Sequence, residues 1–287
     1  MFNFYNKISS NPNSFRQFSY RDSLITLYNC PLENKYEDVW SHNNYIIYVL
    51  EGRKVWHTAH GKYDLSKGSC MFVRKGAVIV EQFYDASFCM VMFFLPDEFI
   101  CDVLKSKATP IHKPDKKYEP LISIDNNITV HSFFQSMISY FDSNRVPDQS
   151  LLELKFRELI LTIADNPANS ELLSFFSLLL QEPQAVSLKN TMEDNYCFNL
   201  KLEQFAQLSN RSLSAFKRDF QKQYNTTPGK WLLEKRLNHA MHLLTNNGRT
   251  VSEASYESGF ENQSHFSRVF REHFGYPPAS AKQKITG

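Results

Sequence analysis

Two stretches of this chain repeat each other at an offset of 50 residues: Phe216, Arg218, Phe220, Tyr224 and Pro228 return as Phe266, Arg268, Phe270, Phe274 and Pro278. On an α-helix, positions i and i+4 share a face, so each Phe pair is placed to bury its rings while the Arg at i+2 turns outward. Packing requires an apolar stripe. It does not require the same Phe-x-Arg-x-Phe, or the same Pro eight residues beyond the second Phe, to recur. The C-terminal part is therefore predicted to hold one small helical unit built twice.

Each copy carries its own start and stop signals. Residues 202–208 read as a short helix around Phe205 and Ala206, and Ser209-Asn210-Arg211 as the turn after it, since Asn tolerates a left-handed backbone angle. Ser212 is placed to cap a helix over 213–222 that buries Leu213, Phe216 and Phe220 and turns Ser214, Arg218 and Gln221 outward, flanked by Lys217. In the second copy, 251–258 precedes a turn at Gly259, and Asn262 caps the helix that follows. There Phe266, Val269 and Phe270 are predicted inside and Ser264, Arg268 and Arg271 outside, flanked by His265 and Ser267, with Gln263 at the tip. Thr227-Pro228 supplies an N-cap with Pro at the first helical position, Thr250 and Glu253 fit a capping box, and Gly259 and Gly275 stand where chains leave helices. Between the copies, 229–244 reads as one helix of about 16 residues, roughly 24 Å long.

A helix-turn-helix duplicated in this way suits two neighbouring turns of a DNA duplex. Arg pairs bidentately with guanine O6 and N7, and Gln with adenine N6 and N7; Ser, Lys and helix N-termini suit phosphates. A stiff spacer of that size is able to hold two reading helices about 34 Å apart, one duplex turn, on one face. Taken singly, each amphipathic helix equally describes a plain core helix, and each outward Arg a solvated charge. The recurrence favours the DNA reading. Charge distribution adds modest support: residues 187–287 hold 14 Lys and Arg against 9 Asp and Glu, a net of +5, while residues 1–186 hold 18 against 21, a net of −3.

The remainder of the chain bounds the class. Its 42% apolar and 22% charged fractions fit a well-cored protein, and 287 residues fit two domains. Five scattered cysteines (Cys30, Cys70, Cys89, Cys101, Cys197) make no CxxC pair and no ligand-like spacing, which fits a reducing compartment. No secretory signal pattern opens the chain, and the longest apolar stretch, 88–95, falls far short of the roughly 20 residues a membrane span needs. A cytoplasmic location with no membrane partner is expected.

From Tyr45 to Leu95 short aromatic and β-branched runs alternate with turns: "YIIYVL", "KVWHTA", "YDL", "CMFV", "VIVEQF" and "FCMVMFFL". That texture predicts a sandwich or small barrel. After Pro96 it changes. Apolar residues at 130, 133, 134, 137, 138 and 141 form a helical stripe, and Leu152, Phe156, Leu159, Ile160 and Ile163 a second. Residues 171–180 are apolar nearly all round and predicted buried; 107–127 read as an exposed connection; Pro183 marks the expected boundary between a domain at 1–182 and one at 183–287.

The stretches "RSLSAFKRDFQKQYNTTPGKWLLEKRLNHAMHLL" and "VSEASYESGFENQSHFSRVFREHFGYPP" closely resemble the C-terminal DNA-binding domain of AraC/XylS-family transcription regulators over about residues 187–285. The resemblance implies base contacts from Ser214, Lys217 and Arg218 on the first reading helix and from Gln263, Ser264, His265, Ser267 and Arg268 on the second. Two positions depart from the family pattern: Ala254-Ser255 stands where Ile-Ala is usual, and Asn210 where Gly is common. A less apolar supporting helix implies a second unit that docks on DNA less firmly.

Many members of that family carry a cupin-like barrel in front, and "YIIYVLEGRKVWHTAHGKYDLSKGSCMFVRKGA" resembles it. A cupin enzyme clusters His and carboxylate ligands around a metal. His42 falls where the first ligand would be, but Asn44 stands where HxH places the second; the run after Gly76 has no His, only Glu81 as a carboxylate. His57 and His60, three apart on a hairpin, face opposite sides. No catalytic residue, metal or cofactor is therefore expected. Tyr45, Ile47, Val49, Trp56, Phe72 and Phe83 line either a pocket or, more simply, a core.

The expected architecture is α+β in two domains: a cupin-like β-barrel with a helical extension, then an all-α domain of two helix-turn-helix units joined by a long helix. The expected function is a sequence-specific transcription regulator, an activator, acting on double-stranded DNA with RNA polymerase as partner. The front domain would sense a small molecule or a regulatory protein, as in the type III secretion activator branch it loosely resembles. Otherwise it would dimerise, with the helices at 130–141 and 152–163 slightly favoured as dimer surfaces over packing on the barrel. The alternatives are a metal-dependent cupin enzyme with an accessory DNA-binding tail, and an architectural DNA binder without regulatory input.

Overall fold

A computed structural model describes residues 1–29, 34–83, 87–111, 118–143, 146–181, 188–246 and 248–281. The chain divides into two compact units, Met1–Val186 and Ser187–Gly287. Pro183 and Cys30 lie outside the described residues.

The first unit opens with β1 (Phe2–Asn3), α1 (Phe4–Ser9), β2 (Gln17–Tyr20), β3 (Ser23–Asn29) and β4 (Tyr36–Ser41), which carry no regular Gly-turn signal and are not predicted above. The predicted strands follow as β5 (Asn44–Glu51), β6 (Arg53–His57), β7 (Lys62–Ser66), β8 (Cys70–Val73), β9 (Gly76–Gln82) and β10 (Cys89–Leu95). Then come α2 (Asp97–Lys105), β11 (Leu121–Ser123), α3 (Ile128–Asp142), α4 (Gln149–Ala164) and α5 (Ser170–Gln181). The strands form two sheets, in the orders β1-β4-β9-β6-β7 and β11-β8-β5-β10-β3-β2.

The six-stranded sheet is buried on both faces, which explains its nearly continuous apolar runs. On β5, Tyr45, Ile47 and Val49 point between the sheets, where they meet Trp56, Leu65, Val78 and Val80. Ile46 and Tyr48 point the other way, into a second core built with Phe133, Phe134, Phe156 and Phe176 from the helices. Tyr48 stacks on Phe134 at 4.4 Å and donates to, or accepts from, His131 Nδ1 at 2.8 Å.

Four expectations change. Phe72 does not share an interior with Tyr45 and Trp56: by strand alternation it faces the helices, 5.4 Å from Phe175. Phe83 is half-buried and carries the Arg53 guanidinium over its ring at 5.0 Å. Within 107–127, residues 112–117 lie outside the described set, but Leu121, Ile122 and Ile124 are buried, so that part is an edge strand rather than an exposed connection. The apolar stripes of α3 and α4 are likewise consumed by the chain's own core: Val130, Phe134, Leu159, Ile160 and Ile163 are wholly buried there. Those faces are not available to a second subunit.

The second unit is all-helical: α6 (Leu188–Asn195), α7 (Leu202–Leu208), α8 (Leu213–Tyr224), α9 (Pro228–Asn246), α10 (Val251–Glu257), α11 (Gln263–Phe274) and a short 3-10 turn at Pro278–Ser280. Thr227 Oγ1 accepts from the Lys230 N–H at 3.4 Å at the start of α9, and Thr250 and Glu253 cap α10 reciprocally.

Candidate nucleic-acid interface

The pairs α7–α8 and α10–α11 are built on the same local rules. After α7 the chain turns through Asn210 at φ 55°, and after α10 through Gly259 at φ 79°. The preceding serines, Ser209 and Ser258, are both buried. The offset between copies is 49 residues up to this turn and 50 after it, so the second turn is one residue longer. Ser212 Oγ then accepts from the Ala215 N–H, and Asn262 Oδ1 from the N–H groups of Ser264 and His265 at 2.8 and 3.1 Å. These bonds satisfy donors that a helix N-terminus otherwise leaves open. Inside, Phe220 and Tyr224 rings lie 4.5 Å apart and Phe270 and Phe274 rings 4.6 Å. Both helices end on a left-handed residue, Asn225 and Gly275.

The outward faces carry the residues singled out from the sequence. On α8, Ser214, Lys217, Arg218 and Gln221 are exposed; on α11, Gln263, Ser264, His265, Arg268 and Arg271 are exposed and Ser267 is half-buried. The Arg218 side chain is 76% exposed and that of Arg268 66%, so neither guanidinium folds into the interior.

Their surroundings differ. Arg218 Nε and Nη2 donate to Asp219 Oδ1 at 3.1 and 3.0 Å, while Asp219 Oδ2 accepts from Arg211 Nε at 3.3 Å. Arg211 also donates through Nη1 to the Ser209 carbonyl at 2.7 Å. The hydrogen bonds from Arg218 foremost, and from Arg211, hold the Asp219 carboxyl below the usual carboxylate range. In the second copy Val269 takes the place of Asp219 and is buried, and Arg268 only approaches Glu272 at 4.0 Å. Water and salt screen an exposed pair of this kind, so exchanging its carboxylate for another anion costs little.

The two helix-turn-helix pairs are also tied to each other. Arg236 on α9 donates to the carbonyls of Tyr196 and Phe198 at 2.7 and 2.6 Å, pinning the chain ahead of α7. Gly259 packs so closely there that a Cβ would lie 2.8 Å from the Cys197 carbonyl oxygen. Asn199 donates to Glu261 across the same seam. The resulting cleft, about 790 Å³, is lined among others by Lys201, Arg236, Asn262, Ser264, His265 and Arg268. Arg236, Asn199, Glu261 and Asp219 were not legible as interface-building residues, because each acts on a partner distant in sequence or on an adjacent side chain. Ala254 and Ser255, the less apolar pair, are both buried.

The histidines of the first unit hold other partners. His57 Nε2 lies 2.9 Å from Glu81 Oε2, whose other oxygen accepts from Tyr36 at 3.2 Å. His42 Nδ1 meets Asn3 Nδ2 at 3.0 Å, and Asn44 Nδ2 donates to Asp97 Oδ1 at 2.6 Å. Among the described residues no three His, Cys, Asp or Glu converge as metal ligands would, and no helix is long and apolar enough to cross a membrane.

Two exposed, N-capped helices, each presented by its own turn on its own aromatic core, define a double helix-turn-helix DNA-binding regulator. Comparison with known proteins agrees. Residues 44–175 match the family described as the ExsA N-terminal regulatory domain, and residues 205–284 a helix-turn-helix domain. The chain is 27% identical over 237 residues to the virulence regulon transcriptional activator VirF of Yersinia enterocolitica, covering 82% of this chain and 87% of that one. It is 25% identical over 241 residues to the HTH-type transcriptional regulator ExsA of Pseudomonas aeruginosa, covering 83% and 85%. Among solved structures, an apo form of ToxT from Vibrio cholerae aligns with 13% identity and a TM-score of 0.42, covering 90% of this chain and 96% of that chain. Over both matched regions the chain is thus similar to transcription regulators, in line with the AraC/XylS resemblance of its sequence.

Proposed function

We propose that the protein activates transcription by laying α8 and α11 into adjacent major grooves on one side of a DNA duplex. Ser214, Lys217, Arg218 and Gln221 would meet the first groove, and Gln263, Ser264, His265, Ser267 and Arg268 the second. Arg and Gln serve as base readers; Ser, Lys and the capped helix N-termini hold phosphates. The observation carrying this reading is the pair of equivalent, outward arginines, Arg218 and Arg268, on helices of equal length and matching caps. Residues 183–287 act as the DNA-binding domain and 1–182 as the regulatory one, taking a small molecule, a regulatory protein or a second copy of the chain. The setting is the cytoplasm, the productive partner RNA polymerase, and no chemical step is catalysed.

Selection from randomised duplex oligonucleotides with the full-length protein tests it. The recovered site should contain two conserved elements centred about one helical turn apart. A pool without sequence preference would instead favour an architectural binder. Stoichiometric iron, manganese or zinc in protein purified without chelators would favour the enzyme alternative.

A further inference from the structure

Among the described residues, Lys54 is the only Lys, Arg, Asp or Glu that is buried as a whole residue, at 2% exposed. It occupies an inward position on β6, paired in register with Leu65 on β7 and Gln82 on β9. Its Nζ donates to Gln82 Oε1 at 3.2 Å and lies 4.7 Å from the centre of the Phe88 ring. Both partners are neutral. Strand alternation sends the neighbouring carboxylates outward, where Asp64 is held by Arg53 and Glu81 by His57.

Two residues along the same face of β6, Trp56 is fully buried and its indole Nε1 has no hydrogen-bond partner among the described residues. Successive inward positions on a strand lie about 7 Å apart, within the span of a lysine chain and an indole ring. A buried ammonium facing only neutral groups and a buried N–H without an acceptor are each unfavourable. One anion between them relieves both.

We propose that the sandwich interior binds a small monovalent anion, a short carboxylate or a halide, between Lys54 and Trp56. The single positive charge matches a single negative one, and the apolar surroundings of Leu65, Val80 and Phe88 in the same core favour a compact ion over a large, heavily hydrated one. Such an ion would brace β6 against Phe88 and make the stability of the regulatory unit depend on its concentration. The proposal does not rest on the DNA-reading helices.

Hydrogen exchange of peptides spanning 53–66, in the full-length protein, tests it. Acetate and chloride are titrated at constant ionic strength against the bulky anion 2-(N-morpholino)ethanesulfonate. The expected result is saturable protection by acetate, chloride or both in the wild type, no such protection in Lys54→Met, and weakened protection in Trp56→Phe. In the bulky anion alone, Lys54→Met should be at least as protected as the wild type, since it loses an uncompensated buried charge. The stronger of the two anions identifies the class. Identical anion dependence in wild type and Lys54→Met, or no effect of either small anion, overturns the site and leaves a neutral water as the acceptor. Should Lys54→Met fail to fold, unchanged anion dependence in Trp56→Phe overturns it equally.

Discussion

Gly259→Ala separates two physical costs at the joint between the helix-turn-helix units. The backbone there sits at φ 79°, a left-handed conformation that costs an L-residue with a Cβ roughly 1–2 kcal/mol. The new Cβ would also lie 2.8 and 3.0 Å from the Cys197 carbonyl oxygen and carbon, and 3.2 Å from Arg236 Nε. Two of those atoms are backbone and cannot swing aside, and moving them strains the two bonds from Arg236 to the same segment. Overpacking of this kind adds about 1–3 kcal/mol. Gly275 provides the control, because its φ of 82° is nearly the same yet nothing stands within 4 Å of a Cβ. Gly275→Ala should therefore show the conformational cost alone, and Gly259→Ala about 1–3 kcal/mol more. Hydrogen exchange of peptides from Pro228 to Phe274 in the full-length protein reads the difference, each 1.4 kcal/mol appearing as about a tenfold faster opening. Equal destabilisation by the two substitutions would refute the close packing of the second turn on Cys197.

Arg218→Ala and Arg268→Ala should each weaken binding to a selected site by about 1–3 kcal/mol while leaving the thermal unfolding profile unchanged; wild-type affinity in both would remove these helices as readers. Affinity should fall steeply as salt rises, since each phosphate contact releases counterions, and a flat response in a filter-binding series would contradict the proposed interface. Asp219→Asn releases Arg218 from its carboxylate partner and is expected to raise affinity for non-cognate duplex more than for the selected site; equal affinities for both variants on non-cognate DNA would show that the pair does not restrain the arginine. Thr250→Ala should destabilise α10 by about 1 kcal/mol. The Glu253 carboxyl is held below its ordinary value of 4.5, first by the Thr250 backbone N–H. Its contribution to the cap is thus complete above that value and lost as pH falls below it, so exchange protection of α10 should decline on acidification in wild type and less so in Glu253→Gln.

Local periodicity and single capping residues were legible along the chain without any tertiary information. The 50-residue recurrence, the caps at Ser212, Asn262 and Thr250, and the left-handed turns at Asn210 and Gly259 all depend on neighbours within one or two helical turns. Exposure of Arg218 and Arg268 followed from the same spacing. The family resemblance rests on those same residues.

The tertiary structure decided which surface meets which. An apolar stripe says that a face is buried but not against what: α3 and α4 could have met a second subunit, and they meet the chain's own six-stranded sheet. Runs such as "CMFV" hide their alternation because both faces of the strand are covered, so Phe72 could not be assigned to a side until the helices were in place. The strands ahead of β5 lack regular Gly turns and gain their order from pairing with distant partners, β4 with β9 and β3 with β10. The tie from Arg236 to Phe198 and the buried Lys54 have the same origin. Each is an energy between residues far apart along the chain, which no local pattern encodes.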